Sequence, residues 1–337
     1  MRKKQPFSPH RALWKLICLF LAMTLVLMLA VTAGFRHLLD QVRYTAPAAA
    51  DPGLSAAQTP KEIVLDFLDP RDVNWTQLTS DLTKKNTDVL NLLLVGHDSR
   101  ESDAVSRADS ILLCSFRKDS GTLTLTSFLR DLYLPIPGHG SDRINAAYAY
   151  GGAPLLRETL TDNFDIPLDG CIEVDFSQFA KIVDTLGGVT LQLRQDEADL
   201  INRQTGSALT EGLQQLNGEQ TLIYSRIRKL DSDGDFSRTD RQRKVVSAIV
   251  GAYRNAGLAT LMKLLKQVMP MISTDMSESR LLLLALDIFP MLPDLNLASQ
   301  SIPAPGTYAD KTVNGMAVLV PDMDSARELL RQTTGCD

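Results

Sequence analysis

The chain has 337 residues, 44% of them hydrophobic and 22% charged, with a formal net charge of −5. This is ordinary globular composition, with room for one large or two small domains. A general nucleic-acid binder carries a basic face on a basic domain, so the acidic balance argues against that class.

Leu16 to Phe35, LICLFLAMTLVLMLAVTAGF, is twenty residues without a charge, about the length that crosses a bilayer core as a helix. Arg2, Lys3, Lys4, Arg11 and Lys15 precede it. The positive-inside rule then keeps residues 1–15 cytoplasmic and exports the chain beyond the span. A cleaved signal peptide is the competing reading, with small residues around Val31 and Ala33. A signal's apolar region is shorter, roughly 7–15 residues, so 16–35 is expected to be an uncleaved single-pass anchor. Residues 36–87, which include APAAADPGLSAAQTP (46–60), are poor core material and are expected to form a stalk and lead-in. Residues 88–337 are left as the exported domain.

From Leu90 strands and helices alternate. Leu90–Val95, Ser110–Phe116 and Thr122–Phe128 are predicted strands. Pro154–Phe164 is a predicted helix with proline at its start. Strands are expected at Cys171–Val174 and Val189–Leu193, with a helix over Phe176–Leu186 between them, ended by Gly187 and Gly188. The second half is more helical. Asn217–Ser225, Arg238–Asn255, Leu258–Val268, Ser279–Phe289 and Asp324–Gln332 are predicted helices, and Ser299–Ile302 and Met316–Val320 are candidate returns to the sheet. Mixed elements without an internal repeat predict a layered α/β sandwich.

Cys18 lies within the apolar span. Cys114, Cys171 and Cys336 are three exported thiols that cannot all pair within one chain, and free buried thiols compete with a disulfide at 114 and 171. No CxxC or HExxH is present, so a zinc site has no support.

The candidate chemistry lies at strand ends and in one arginine-rich stretch. Gly96-His-Asp98-Ser-Arg100 comes directly after the first strand, and polar groups there line ligand crevices in α/β sheets. Arg107-Ala-Asp109-Ser110 opens the next strand. Two such carboxylates can share one hard cation, although aspartates in these positions are also common turn formers. Arg130-Asp131 ends the third strand, and Arg143-Ile-Asn145-Ala-Ala-Tyr148-Ala-Tyr150-Gly151-Gly152 combines an arginine, an amide and two phenols with a glycine turn. YSRIRKLDSDGDFSRTDRQ (224–242) then places Arg226, Arg228, Arg238 and Arg241 around Asp235. Guanidinium groups grip phosphate and carboxylate oxygens in bidentate fashion. If residues from Arg238 onward are helical, Arg238, Arg241 and Gln242 share one face. A solvated, salt-bridged face is the alternative. DSDGD is not an EF-hand loop, since Phe236 and Gln242 stand where that loop needs glycine and glutamate.

Order and spacing together make this set specific. GHDSR (96–100), RADS (107–110), RD (130–131), RINAAYAYGG (143–152), DTLGGV (184–189), LNGEQTLIYSRIR (216–228) and GDFSRTDRQ (234–242) resemble the LytR-CpsA-Psr (LCP) family of cell-envelope proteins, from about Asn91 to about Val250. SFLRD (127–131) departs from the family's usual Ser-Ile-Pro before Arg-Asp but keeps the arginine. The resemblance implies a three-layer α/β/α sandwich with a mixed central sheet, completed by residues 257–337, and a mainly hydrophobic pocket for a polyprenyl chain. It implies a phosphotransferase that moves an anionic glycopolymer from a polyprenyl-pyrophosphate carrier to peptidoglycan, forming a phosphodiester. By motif, Asp98 and Asp109 would hold Mg2+ (or Mn2+). Arg130, Arg226, Arg228 and Arg238 would bind pyrophosphate, completed by Arg241 and Gln242, with Arg100 and Arg107 as further contacts. Phosphoryl transfer depends on charge stabilisation and positioning, which assigns catalysis to Arg130, Arg228 and a carboxylate base, Asp235 ahead of Asp131. No nucleic acid and no obligate protein partner are expected. A pyrophosphate hydrolase, a non-catalytic carrier-binding protein and a transcriptional attenuator are the other readings. Against the last, about 15 residues before the span are too few for a helix-turn-helix.

Overall fold

The structure, a computed structural model, describes residues 43–44, 88–98, 107–277, 280–281, 284 and 288–335. The expected anchor at 16–35, nearly all of the stalk at 36–87, Arg100, Cys18, Cys336 and most of the helix expected at 279–289 lie outside the described residues. Among the described residues, no helix is long and apolar enough to cross a membrane.

In chain order the strands and helices are β1 (Arg43–Tyr44), β2 (Val89–His97), β3 (Ala108–Arg117), β4 (Thr122–Phe128), β5 (Tyr133–Ile136), β6 (Gly140–Arg143), α1 (Ile144–Phe164), β7 (Gly170–Asp175), α2 (Phe176–Thr185), β8 (Val189–Leu193), α3 (Gln195–Thr205), β9 (Gly212–Leu216), α4 (Gly218–Ser225), α5 (Asp235–Tyr253), α6 (Leu258–Val268), β10 (Ser273–Thr274), β11 (Asn296–Ile302), β12 (Tyr308–Val313), β13 (Met316–Pro321) and α7 (Met323–Thr334). The central sheet runs β1-β10-β7-β2-β3-β4-β11. It is mixed: β2 pairs parallel to β7 and antiparallel to β3, and β4 pairs parallel to β11.

The run Leu92-Leu93-Leu94-Val95 is apolar on both faces because β2 is covered on both. On one face Leu93, Val95, Ile111 and Leu113 pack with Leu156 and Leu160 of α1 and Leu330 of α7. On the other, α2, α4 and α5 stand over the sheet, and Leu90 and Phe116 are buried there beside Val250. A smaller core joins the β8–β9 hairpin to α3, α4 and α5 through Leu191, Leu193, Ile201, Leu216 and Tyr224. The result is helices, sheet and helices in three layers.

Helix ends obey local chemistry. Asp175 caps α2 by accepting from the Ser177 amide at 2.7 Å, as short polar side chains do at N-caps. Asn217 and Gln220 form a reciprocal capping box at α4: the Asn217 side chain accepts from the Gln220 amide at 2.9 Å, and Gln220 Oε1 accepts from the Asn217 amide at 3.0 Å. The helix expected to begin at Pro154 is the second half of α1. Its first half starts at Ile144, and the two are broken at Gly151 and Gly152, the latter at φ +64°. Gly-Gly therefore kinks a helix here instead of turning a loop, and Pro154 restarts it where its missing N–H costs least.

Two expectations are corrected. Met316–Val320 does not return to the central sheet. As β13 it pairs with β12 in a separate hairpin, which bridges from Leu319 to Leu132 and sets Tyr308 against the Phe236 ring. Arg43–Tyr44, within the expected stalk, pairs with β10 at the sheet edge. Cys114 and Cys171 are free thiols, and burial pushes both up to about 12.

Gly218 sets the approach of α4 to α2, since a Cβ there would lie 2.0 Å from the Ala180 carbonyl oxygen. The same close contact lets the Gly218 amide donate to Asp184 Oδ1 at 2.7 Å. Gly218→Ala should therefore force α4 outward and cost about 1–3 kcal/mol, measurable by denaturant unfolding, whereas Gly251→Ala, exposed on α5 with open space at its Cβ, should raise the midpoint slightly, since alanine favours a helix over glycine by about 0.5–1 kcal/mol.

Candidate active site

Three strand ends and two helix ends meet at one end of the sheet. Asp98 comes just after β2. Across from it the β2–β3 register slips, Gly96 pairing with Ser110 and His97 with Ala108, so Asp109 is the extra residue of a bulge. Bulges re-aim side chains in this way. Arg130 lies just beyond β4, Arg226 is the C-cap of α4 with Arg228 two residues on, and Asp235 opens α5 one turn before Arg238.

The guanidinium groups and carboxylates interlock. Arg130 Nη1 donates to Asp109 Oδ1 at 2.7 Å, and its Nε lies 3.6 Å from Asp235 Oδ1. Arg238 Nη2 is 2.9 Å from the same Asp235 oxygen, and Arg228 spans Asp109 and Asp235 at 4.0 Å each. Arg226 Nη2 stands 3.9 Å from Asp98 Oδ2, and its guanidinium lies over the Phe176 ring at 4.9 Å. Behind them, Arg143 Nη1 donates to Asp131 Oδ1 at 3.0 Å, and Asp131 is 3.7 Å from Arg130.

Positive charge is crowded here. Arg238 is only 2% exposed, and burial pushes its pKa down to about 10, with Asp235 resisting and Arg130 and Arg228 adding to the fall. Burial, then repulsion from Arg130, lowers Arg228 as well. Burial acts against charge on Arg130 too, but its hydrogen bond to Asp109 and the fields of Asp235 and Asp131 hold it above its ordinary value. Burial raises the Asp235 carboxyl despite Arg238 and Arg130. The Nε atoms of Arg130 and Arg238 are buried without a hydrogen-bond acceptor. Buried donors are normally paired, so an anion with several oxygens fits the cluster.

A cavity of about 600 Å3 opens over these groups, lined by Asp109, Arg130, Arg226, Arg228, Arg238 and Gln242. A second, apolar cavity of about 310 Å3 continues between the sheet and its helix layer, walled by Leu94, Leu112, Ile172, Phe179, Ile182 and Ile249 among others. Phe176, Leu222 and Gln242 belong to both walls. Gly96 makes room for this junction, since a Cβ there would lie 3.3 Å from the Phe176 ring and 3.0 Å from Ser110 Cβ.

The expected site residues are thus mostly gathered: Asp98, Asp109, Arg130, Arg226, Arg228, Asp235, Arg238 and Gln242, the last accepting from Ser110 Oγ at 3.0 Å. Arg107 is exposed, close enough for its charge to be felt at Tyr150. Arg100 lies outside the described residues. Arg241 is not in the cluster. Residues three and four beyond Arg238 diverge by one helical step of about 100°. Gln242 therefore turns to the site while Arg241 turns to Glu197 Oε1, at 2.8 Å, and to Asp231. Sequence reasoning missed that buried pair. Its one signal was Asp231 in the acidic loop. The apolar cavity walls were likewise invisible, being ordinary core residues in type.

Among the described residues no group of three or more His, Cys, Asp or Glu side chains is placed to hold a metal ion. Asp98 and Asp109 are two hard carboxylates at adjacent strand ends. That donor set suits magnesium, which takes one or two carboxylates and completes its shell with water and substrate phosphate.

A model of the LytR_cpsA_psr family matches residues 58–334. The polyisoprenyl-teichoic acid–peptidoglycan teichoic acid transferase TagU of Bacillus licheniformis is 36% identical over 176 residues, 52% of this chain and 56% of that protein. The chain thus spans about half the length of such relatives. The structure of TagT bound to LIIa-WTA superposes with a TM-score of 0.61 at 28% identity, covering 74% of this chain and 92% of that one. The LytR-CPS2A-psr family protein YwtF (TagT) with bound octaprenyl pyrophosphate lipid superposes at 0.58 and 26% identity, with the same coverage.

Because burial raises the Asp235 carboxyl and Arg238 is the strongest influence opposing it, Arg238→Gln should move the Asp235 midpoint further up. A side-chain carboxyl 13C titration reads this directly, and a downward or absent shift would contradict the assigned electrostatics.

Proposed function

This chain belongs to the LytR_cpsA_psr family, and from that premise we propose that it is a membrane-anchored phosphotransferase acting outside the cytoplasm. It takes an anionic glycopolymer from a polyprenyl-pyrophosphate carrier and attaches it to peptidoglycan through a phosphodiester. The observation that carries this reading is the continuous pairing of an arginine-lined cavity with an apolar one across Phe176, Leu222 and Gln242. A diphosphate joined to a long hydrocarbon needs those two environments side by side.

In this reading the isoprenoid lies in the apolar cavity and the diphosphate against Arg130, Arg226, Arg228 and Arg238. The buried Nε donors of Arg130 and Arg238 would then bond to phosphate oxygens. The acceptor hydroxyl attacks the phosphorus that carries the sugar. One P–O bond forms, the phosphoanhydride P–O bond breaks, and its electron pair leaves on polyprenyl phosphate. Asp235 takes the hydroxyl proton, and its raised pKa brings it nearer the value a general base needs at neutral pH. Asp131 is held by Arg143 and serves as a strut for Arg130. Asp98 and Asp109 would hold magnesium, which when bound supplies further charge neutralisation at the diphosphate. The segment 16–35 is proposed as the anchor that keeps the domain at the outer face of the membrane, where such carriers lie.

Arg228→Ala and Asp98→Ala should each lower polymer transfer to peptidoglycan by about 100-fold or more, the scale of losing one preorganised charge contact in a transition state. Radiolabelled polymer recovered in the peptidoglycan fraction measures this, and full activity in both variants would remove the site assignment. Product released without peptidoglycan at the same rate would mark a hydrolase instead. EDTA should stop transfer and added Mg2+ restore it.

The pH profile gives a separate check. A base with a raised pKa is active when deprotonated, so the rate should fall as pH drops through a midpoint above the usual carboxylate range. In Asp235→Asn that acid limb should vanish together with most of the rate, as seen in initial rates from pH 4 to 8.

A further inference from the structure

Helix α5 has a second polar face. Arg238 and Gln242 line the proposed diphosphate cavity, whereas Ser237, Asp240, Lys244 and Ser247 line another cavity of about 580 Å3 that shares no residue with it. Asp240 lies two residues beyond Arg238, about 200° around the helix, so the two cavities flank α5 on opposite sides. The second is closed by Thr190–Gln192 of β8 and by Ser299 of β11.

Most charges in it are already spent. Arg241 Nε pairs with Glu197 and its Nη2 with Asp231. Arg194 pairs with Asp231 at 2.6 Å and Asp196 at 2.9 Å. Lys244 takes Asp240 at 2.7 Å. Arg243 is the exception. It is 8% exposed, reaches Asp240 only at 3.4 Å through Nη2, and leaves Nε and Nη1 buried without acceptors. The lining holds four cationic side chains, Arg194, Arg241, Arg243 and Lys244, against Glu197, Asp231 and Asp240. With Asp196 on Arg194 the four cations meet four carboxylates, so what is unmet is the pair of idle Arg243 donors, set among serine hydroxyls, and these need an acceptor oxygen.

We propose that this cavity is a phosphate-binding subsite centred on Arg243. Given the glycopolymer transferase reading, on which this part rests, its occupant is a phosphodiester of the anionic polymer, held on the opposite side of α5 from the transferred phosphorus. The subsite would then recognise the cargo, while the arginine–aspartate cluster recognises the carrier.

Calorimetric titration of the detergent-solubilised full chain with inorganic phosphate tests it without requiring transferase activity. The wild type should show two sites. Arg228→Ala should keep only the one at Arg243, and Arg228→Ala/Arg243→Gln should weaken that one by about tenfold or more. Ser299→Asp in the Arg228→Ala background, an exposed change that leaves Arg243 in place, should have the same effect if Arg243→Gln fails to fold. No phosphate site in Arg228→Ala, or one that survives both further changes, overturns the subsite. Acetate displacing phosphate at equal concentration would make it a carboxylate site and overturn the phosphate assignment. Dimethyl phosphate separates the sources: Arg243-dependent binding of the diester supports the polymer, and binding of inorganic phosphate alone overturns that assignment. Because binding is read directly, loss of the transferase reading would leave the Arg243 result standing.

Discussion

Arg130 is the tie on which the site depends. One guanidinium meets Asp109 from β3, Asp131 beside it and Asp235 from α5. Arginines crowded this closely repel one another, and burial strengthens that repulsion because the local dielectric is low. Asp109 and Asp235 hold Arg130, Arg228 and Arg238 together while leaving buried N–H donors unused. The carboxylates therefore keep the cluster assembled without saturating it. An anion bound there as proposed would meet donors already oriented.

The scaffold explains why this cluster sits where it does. Asp98, Asp109 and Arg130 are at the ends of neighbouring strands whose centres are buried on both faces. The arginines that complete the cluster come from α4 and α5, and α4 is fastened by its own capping box and by the Gly218 contact with α2. The apolar cavity occupies the space between the sheet and these same helices. Charged head site and greasy groove thus share walls because one helix layer builds both.

Much of this was legible in the chain itself, and the exceptions are instructive. β4 and α6 fall on the expected residues because their boundaries are marked by turn-forming or capping chemistry. Strand β8 also falls on its expected residues, but hairpin β5–β6, helix α3 and β9, the partner of β8, escaped notice: these strands are short and largely polar outward, and α3 is rich in charged and amide residues. β13 was mistaken for a strand of the central sheet because apolar content reports burial, not partnership, and its largely exposed partner β12 gave no signal. Within the site, residue type and spacing pointed to Asp98, Asp109, Arg130, Arg226, Arg228 and Arg238. They misplaced Arg241, because three- and four-residue spacings look equivalent in sequence and are one helical step apart in space. A buried ion-pair acceptor such as Glu197 lies 44 residues away in the chain, beyond any local pattern.

The bulge at Asp109 has a consequence for how a ligand is measured. In an unbroken ladder, Asp109 and Ser110 would point to opposite faces of the sheet. Here Asp109 lines the charged cavity and Ser110, bonded to Gln242, lines the apolar one. Two consecutive residues therefore mark where charge ends and hydrocarbon begins. Their separation is covalent, so it cannot drift as helices breathe. The protein carries a fixed zero mark on a ruler. An amphiphile bound as proposed would be indexed by the position of its charged junction, and the length of its tail would matter only afterwards.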